Sequence, residues 1–306
     1  QSLEMVQEIF IEKFEKETAE SNYLAFKMGH EYVEKRFDIT TSLKDEHIFI
    51  NGNAAIAIGA LAGGVSFYAS YPMTPATSIM TQLSMRQDDA GIIVEQVEDE
   101  IGAINMVLGA SYAGSRTMTG TSGGGFALMV EALSMQGIME LPLVVVNSQR
   151  PGPATGMATR TEQADLDFVL AAGHGEFPRM VMAVRNPEDA FYQTVRALNI
   201  ADKYQMLVII LTDQHLADSA QTIVPFDFSK VSIDRYFTDS EQLAGERYKR
   251  YMITESGISP RIIPGKIPGA VVLSDSHEHN EYGHISESVE IRNAMMEKRM
   301  KKLEGM

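Results

Sequence analysis

Cysteine is absent from all 306 residues. That excludes a disulfide framework, a cysteine-ligated zinc, a thiolate nucleophile and any iron–sulfur cluster held by this chain. A reducing, cytoplasmic setting is the expectation. Long apolar runs are missing too. None approaches the ~18 to 20 residues that span a bilayer, and no charged-then-apolar leader is apparent, so no membrane association is expected. Basic side chains are few: 26 Lys and Arg stand against 41 Asp and Glu, a net charge of −15. A broad electrostatic footprint for DNA or RNA is therefore excluded. What remains is ordinary globular material, 44% hydrophobic and 8% aromatic, which rules out wholesale disorder.

The charge is unevenly spread and divides the chain into three parts. Residues 1–47 hold 11 acids and 6 bases in helix-forming text, with Leu3, Val6, Phe10 and Phe14 and then Tyr23, Phe26 and Tyr32 at helical spacing. Two such helices cannot bury a core alone, and Gln1 stands where a Met would open a chain, so this part reads as the tail of something longer. Residues 48–225 hold 17 acids and 8 bases, one of them lysine. Residues 226–306 hold 13 acids and 12 bases. There Pro260, Pro264, Gly265, Pro268 and Gly269 punctuate a loop-rich arm. A charged, solvated helix over about Glu287–Lys302 follows, its basic end suited to a helix C-terminus.

The middle part alternates two patterns. Short β-branched runs, Val65–Ser70, Ile92–Gln96, Arg116–Thr121, Leu143–Asn147, Met180–Val184 and Leu207–Thr212, read as strands. Between them Ala54–Ala62, Thr77–Arg86, Ile101–Ala113, Phe126–Met139, Asp165–Ala172 and Pro187–Tyr204 read as helices. Such alternation predicts an α/β fold, a doubly wound parallel sheet covered on both faces, with ligands at the carboxyl ends of its strands.

Four features follow predicted strands. In Tyr71-Pro72-Met73-Thr74-Pro75 two prolines fix the backbone and hold the threonine hydroxyl in one place. A plainer role for the same residues is a helix start, with Thr74 as cap and Pro75 in the first helical position. Val97-Glu98-Asp99-Glu100 runs into an apolar helix. Acids suit a helix N-terminus, yet a carboxyl heading so apolar a helix is expected to be desolvated. Desolvation favours the neutral acid and the helix dipole the anion, and the sequence does not decide between them. Thr119-Gly120-Thr121-Ser122-Gly123-Gly124-Gly125 lets backbone approach a ligand closely, or is a simple strand-to-helix turn. It lacks the Lys-Ser/Thr of a phosphate loop and the spacing of a dinucleotide fingerprint. The fourth runs from Ser148-Gln149-Arg150-Pro151 to Arg160-Thr161-Glu162-Gln163. Two arginines on one loop of a base-poor region suit a carboxylate-bearing substrate, or are solvated surface charges. His277, His279 and His284 fit no standard zinc spacing. They are read as part of a polar contact surface, and no metal ligand is assigned.

Taken together and in order, these motifs resemble the alpha subunit of the 2-oxoacid:ferredoxin oxidoreductases, the thiamine diphosphate enzymes of the pyruvate and 2-oxoglutarate types. Tyr71 to Pro75 is similar to the family's Y-P-I-T-P signature, with Met for Ile. Glu98-Asp99-Glu100-Ile101-Gly102-Ala103 resembles its acidic helix start. Thr121 to Met129 and Arg150 to Gly156 match two later motifs, and the likeness extends to Thr254–Arg261 and Glu281–Ile285. It covers about residues 45 to 300.

The resemblance implies a thiamine diphosphate pyrimidine-binding domain over 48–225. In it Glu100 matches the catalytic glutamate that hydrogen-bonds the aminopyrimidine ring, and proton exchange there activates the thiazolium carbon. Tyr71, Pro72, Thr74, Ser122 and Gly123 join Glu100 as cofactor contacts. Thr74 matches the threonine beside the substrate and Arg150 the arginine that holds its carboxylate. Arg160 and Thr161 are implied as further substrate contacts. The chain has no G-D-G…N motif, so the resemblance places the Mg2+–diphosphate end of the cofactor, and a cysteine-bound iron–sulfur cluster, on a separate beta subunit. Coenzyme A and ferredoxin are the implied co-substrate and electron acceptor. Residues 1–47 resemble the end of a fused gamma domain, and a further domain is expected beyond residue 306. Two other readings stay open: another thiamine diphosphate component, transketolase-like or a dehydrogenase E1, and a non-catalytic docking domain.

Overall fold

The computed structural model describes residues 2–34, 46–243 and 247–306. It divides into two compact units, Gln1–Glu46 and His47–Met306. In the first, α1 (Leu3–Lys13) and α2 (Lys16–Tyr32) pair through Phe10, whose ring lies 6.1 Å from Phe14 and 6.5 Å from Phe26. Ser2 caps α1 by accepting from the Met5 amide. Only Val6 and Ala19 are buried among the described residues of this unit.

The second unit runs β1 (Ile48–Asn51), α3 (Gly52–Ala62), β2 (Phe67–Ser70), α4 (Thr77–Ser84), α5 (Gln87–Ala90), β3 (Ile93–Gln96), α6 (Glu100–Tyr112) and β4 (Thr117–Thr121). It continues α7 (Gly123–Leu128), α8 (Val130–Met139), β5 (Leu143–Gln149), α9 (Leu166–Ala171), β6 (Arg179–Ala183), α10 (Pro187–Tyr204), β7 (Leu207–Asp213), α11 (Gln214–Asp218), β8 (Ala220–Ile223) and α12 (Val289–Lys301). Six strands form one sheet in the order β3-β2-β4-β5-β7-β6, and every pairing in it is parallel. The doubly wound parallel sheet expected from the sequence is what the chain forms. Alternate residues of β5 and β7 feed opposite faces: Val144, Val146, Val208 and Ile210 pack under α3, α4 and α10. Leu143, Val145, Leu207 and Ile209 pack under α6, α8 and α9. A β-carbon at Gly59 on α3 would lie 2.6 Å from the Phe191 carbonyl on α10, so glycine is what lets those two helices approach.

Several expectations need correction. The antiparallel ribbon of β1 with β8 was not anticipated. The helix read over Phe126–Met139 begins at Gly123 and breaks at Met129 into α7 and α8, so the glycines are its first turn. The helix after β2 starts at Thr77, and its N-cap is Ala76 without a side-chain bond, which removes Thr74 as a cap. The closing helix is not solvated at its basic end: Lys298, Arg299 and Lys302 are buried.

That burial is compensated at the amino end of the sheet. Glu140, just ahead of β5, pairs with Lys298 and Lys302, each at 2.5 Å. Arg250 donates to the Glu140 carbonyl at 2.8 Å and to Gln205 Oε1 at 2.8 Å. Burial alone would push the Glu140 carboxyl up, but the two ammonium groups and the guanidinium outweigh it and hold it well below the usual carboxylate range. Burial brings Lys298 down to about 8 against the opposing pull of Glu140. Asp202, in the last turn of α10, similarly takes Arg116 (2.7 Å), Arg235 (3.0 Å) and Arg261 (2.6 Å). Five of these six cations come from residues 226–306, so the arm is fastened to the sheet by two buried acids.

Candidate functional site

The winding of the sheet reverses between β2 and β4: the chain leaves β2 toward β3 at one edge and β4 toward β5 on the other side. A crevice opens at such a switch point beyond the carboxyl ends of the strands. All four segments singled out from the sequence lie at those ends, in the last residues of or just after β2, β3, β4 and β5.

Glu100 opens α6. Asp99 is its N-cap, accepting from the Gly102 amide at 2.6 Å, which frees the neighbouring glutamate from capping. Glu100 is 3% exposed, and its Oε1 has no hydrogen-bond partner among the described residues. A buried polar atom of this kind is costly unless something satisfies it. The carboxyl lies against the first turn of α7: a β-carbon at Gly125 would be 2.7 Å from Glu100 Cδ. The glycine there is what admits the carboxyl. Ser122, the N-cap position of α7, is fully buried with its hydroxyl likewise unpartnered.

Arg150 follows β5 and is 9% exposed. Its Nη1 donates to the Thr74 carbonyl at 2.6 Å. The structure thus joins two residues 76 positions apart that the sequence marked separately. The Tyr71–Pro75 turn is held from the other side by buried Asn53, whose Nδ2 donates to the Pro75 carbonyl and the Ser78 hydroxyl, both at 2.8 Å. Tyr71 is 37% exposed and Pro72 half-buried, so both face the open side of the turn. Arg160 and Thr161 are exposed, and the Arg160 guanidinium donates to Thr159, its chain neighbour. They are not brought against Arg150.

Sequence reasoning gave no role to a polar row on the strand ends. Asn147, Ser148 and Gln149 are buried at the end of β5, and Asn147 Oδ1 and Ser148 Oγ are unpartnered among the described residues. Asn147 Nδ2 donates to Asp165 Oδ2 at 3.1 Å, and Gln149 joins the Asp165 amide (2.9 Å) and the Thr212 carbonyl (3.2 Å). The available signal was polar residues continuing an otherwise apolar strand, Leu143-Val-Val-Val-Asn147-Ser-Gln149. The histidines do not converge. His279 is buried with its ring 3.9 Å from that of Tyr251, while exposed His277 bonds Asp275. Among the described residues no group of three or more His, Asp or Glu is placed to hold a metal ion. No described helix is long and apolar enough to cross a membrane.

A parallel sheet that collects a buried carboxyl, a glycine turn and a buried guanidinium at its switch point defines an α/β ligand-binding domain. The model of the pyruvate flavodoxin/ferredoxin oxidoreductase family, thiamine diphosphate-binding, matches residues 58–298. The chain belongs to that family. It is 43% identical over 299 residues, 92% of its length, to the alpha subunit of 2-oxoacid:ferredoxin oxidoreductase 1 of Sulfurisphaera tokodaii, of which the match covers 47%. Over 70% of its length it is 41% identical to 2-oxoglutarate oxidoreductase subunit KorA of Mycobacterium tuberculosis, of which 35% is covered. The 2-oxoglutarate:ferredoxin oxidoreductase of Magnetococcus marinus, solved with 2-oxoglutarate, coenzyme A and succinyl-CoA bound, superposes with a TM-score of 0.88 at 38% identity. That match covers 99% of this chain and 53% of the solved one. The chain spans about half the length of these relatives or less.

Proposed function

We propose that this chain is the alpha-subunit part of a cytoplasmic 2-oxoacid:ferredoxin oxidoreductase. The activity is coenzyme A-dependent oxidative decarboxylation of a 2-oxo acid, 2-oxoglutarate or pyruvate, on thiamine diphosphate, with electrons passed to ferredoxin. The observation that carries the reading is Glu100, a buried carboxyl with an unpartnered Oε1 set against a glycine turn. That atom fits the aminopyrimidine ring, whose nitrogens can exchange a hydrogen bond with it. Bound there, thiamine diphosphate supplies an acidic carbon nucleophile and an electron sink for decarboxylation.

The chain's own groups divide the remaining work. Glu100 holds or releases the proton at Oε1, in surroundings from which water is largely excluded. Ser122 and Gly123 give the ring a close backbone surface, and Tyr71, Pro72 and Thr74 close the site from the β2 side. Arg150 takes the substrate carboxylate. Thr74 fixes one edge of its guanidinium, leaving further N–H groups for a bidentate contact. Arg160 and Thr161 are assigned to substrate specificity from the same loop. The beta subunit is assigned the Mg2+–diphosphate end and the iron–sulfur cluster, so the alpha chain alone should be inactive.

The test mixes the full-length subunit with its beta partner and follows viologen dye reduction with thiamine diphosphate, coenzyme A and a panel of 2-oxo acids. Turnover should require both chains and fall by orders of magnitude in Glu100→Gln. Turnover that survives the substitution would remove Glu100 from the mechanism.

A further inference from the structure

Asp165 stands at the N-cap position of α9, where an aspartate ordinarily turns its carboxylate onto the helix amides. Asp99, Asp213, Asn186 and Ser288 do so at α6, α11, α10 and α12. Asp165 does not: it makes no side-chain cap bond. Its carboxylate is turned onto the first turn of α7, where a β-carbon at Gly123 would lie 2.6 and 2.8 Å from its two oxygens. Two strand-end residues hold it there. Asn147 Nδ2 donates to Oδ2 at 3.1 Å, and the Asp165 amide donates to Gln149 Oε1 at 2.9 Å. Asn147 and Gln149 are both buried, so the carboxylate bears on the turn from a fixed support. Gln163 Nε2 donates to Asp213 Oδ2, tying the same segment to the end of β7.

The turn therefore lies between two carboxyls, Asp165 at Gly123 and Glu100 at Gly125. We propose that Asp165 is a positioning residue of the candidate site, which fixes the Ser122–Gly125 turn against Glu100 and so sets the surface on which the cofactor ring rests. The proposal rests on the thiamine diphosphate reading above. Asp165 acts through the turn. Its contribution is the space it fills and the hydrogen bond it accepts, both of which an asparagine reproduces.

The experiment uses the full-length alpha chain assembled with its beta partner. Thiamine diphosphate is titrated calorimetrically into the cofactor-free complex, and kcat and KM for the 2-oxo acid are measured for Asp165→Ala, Asp165→Asn and Gly123→Ala. Asp165→Ala should weaken thiamine diphosphate binding at least tenfold and lower kcat, with KM for the oxo acid within twofold of wild type. Asp165→Asn should restore binding to within threefold, and Gly123→Ala, by displacing the carboxylate, should reproduce the alanine variant. Unchanged cofactor binding in Asp165→Ala would overturn the proposal, whether or not the thermal midpoint falls. So would an effect confined to oxo-acid KM, or an asparagine variant as impaired as the alanine one. Glu100→Gln run in parallel keeps the two claims apart: retained turnover in that variant sinks the cofactor reading itself, whereas failure of Asp165 alone leaves it standing.

Discussion

The two ends of the parallel sheet treat their buried carboxyls in opposite ways. At the amino end, Glu140 and Asp202 are each ringed by cations at 2.5 to 3.0 Å. At the carboxyl end, Glu100 Oε1, Ser122 Oγ, Asn147 Oδ1 and Ser148 Oγ are buried without partners among the described residues. A buried charge that is paired holds structure together, and removing one partner leaves the other exposed to the full desolvation cost. A buried polar atom without a partner is a cost until a water, an ion or a ligand satisfies it. The carboxyls of one end are paired, and Glu100 at the other is left open.

Substitutions at the two ends should separate accordingly. The largest effect is expected at Glu100: Glu100→Gln should lower kcat by about 10²- to 10⁴-fold, while the thermal midpoint stays or rises, as chemical denaturation and calorimetry would show. Next, Glu140→Gln should destabilise the folded chain by about 3–5 kcal/mol, because Lys298 and Lys302 lose their counter-ion. The active fraction that remains folded should turn over normally. An equal effect on kcat would break the division between the ends. Smaller, Arg150→Lys should raise KM for the 2-oxo acid by about tenfold with little change in stability, since lysine keeps the charge and loses the fork.

Acid should find the amino end first. The Glu140 carboxyl is lowered in the folded state, so its contribution is complete above the unfolded carboxylate value of about 4.3 and is lost as pH falls toward the lowered folded one. Unfolding free energy measured from pH 7 to 3 should decline more steeply for wild type than for Glu140→Gln below about pH 4. Parallel curves would remove Glu140 as the acid-sensitive group.

The six strands of the sheet were legible because each is a short β-branched run bounded by Gly, Pro or charge, and observed and expected ends differ by no more than two residues. The candidate site was legible where a distinctive motif follows a strand, as at Glu100, Thr74 and Arg150. The rest was hidden for physical reasons. Ala220–Ile223 is too short and polar to announce a strand, and it exists because Ile48–Asn51 lies beside it. Asp165 reads as the first residue of a helix, and only the fold shows its carboxylate turned onto Gly123. The basic end of α12 reads as solvated because the acid that buries it lies in another part of the chain. Lys298 and Lys302, one helical turn apart and so on one face, were the single local hint.

Glu140 and Lys298 are 158 residues apart in sequence, and Gln205 and Lys302 are 97 apart. Contacts of such long range must close loops of about half and a third of the chain, so they are expected to form late, after the barrier to folding is crossed. Interactions absent from the transition state leave the folding rate alone and slow unfolding. The arm's cations are thus expected to govern how long the domain persists once folded more than how fast it arrives, the two buried acids acting as a timer on escape from the native state.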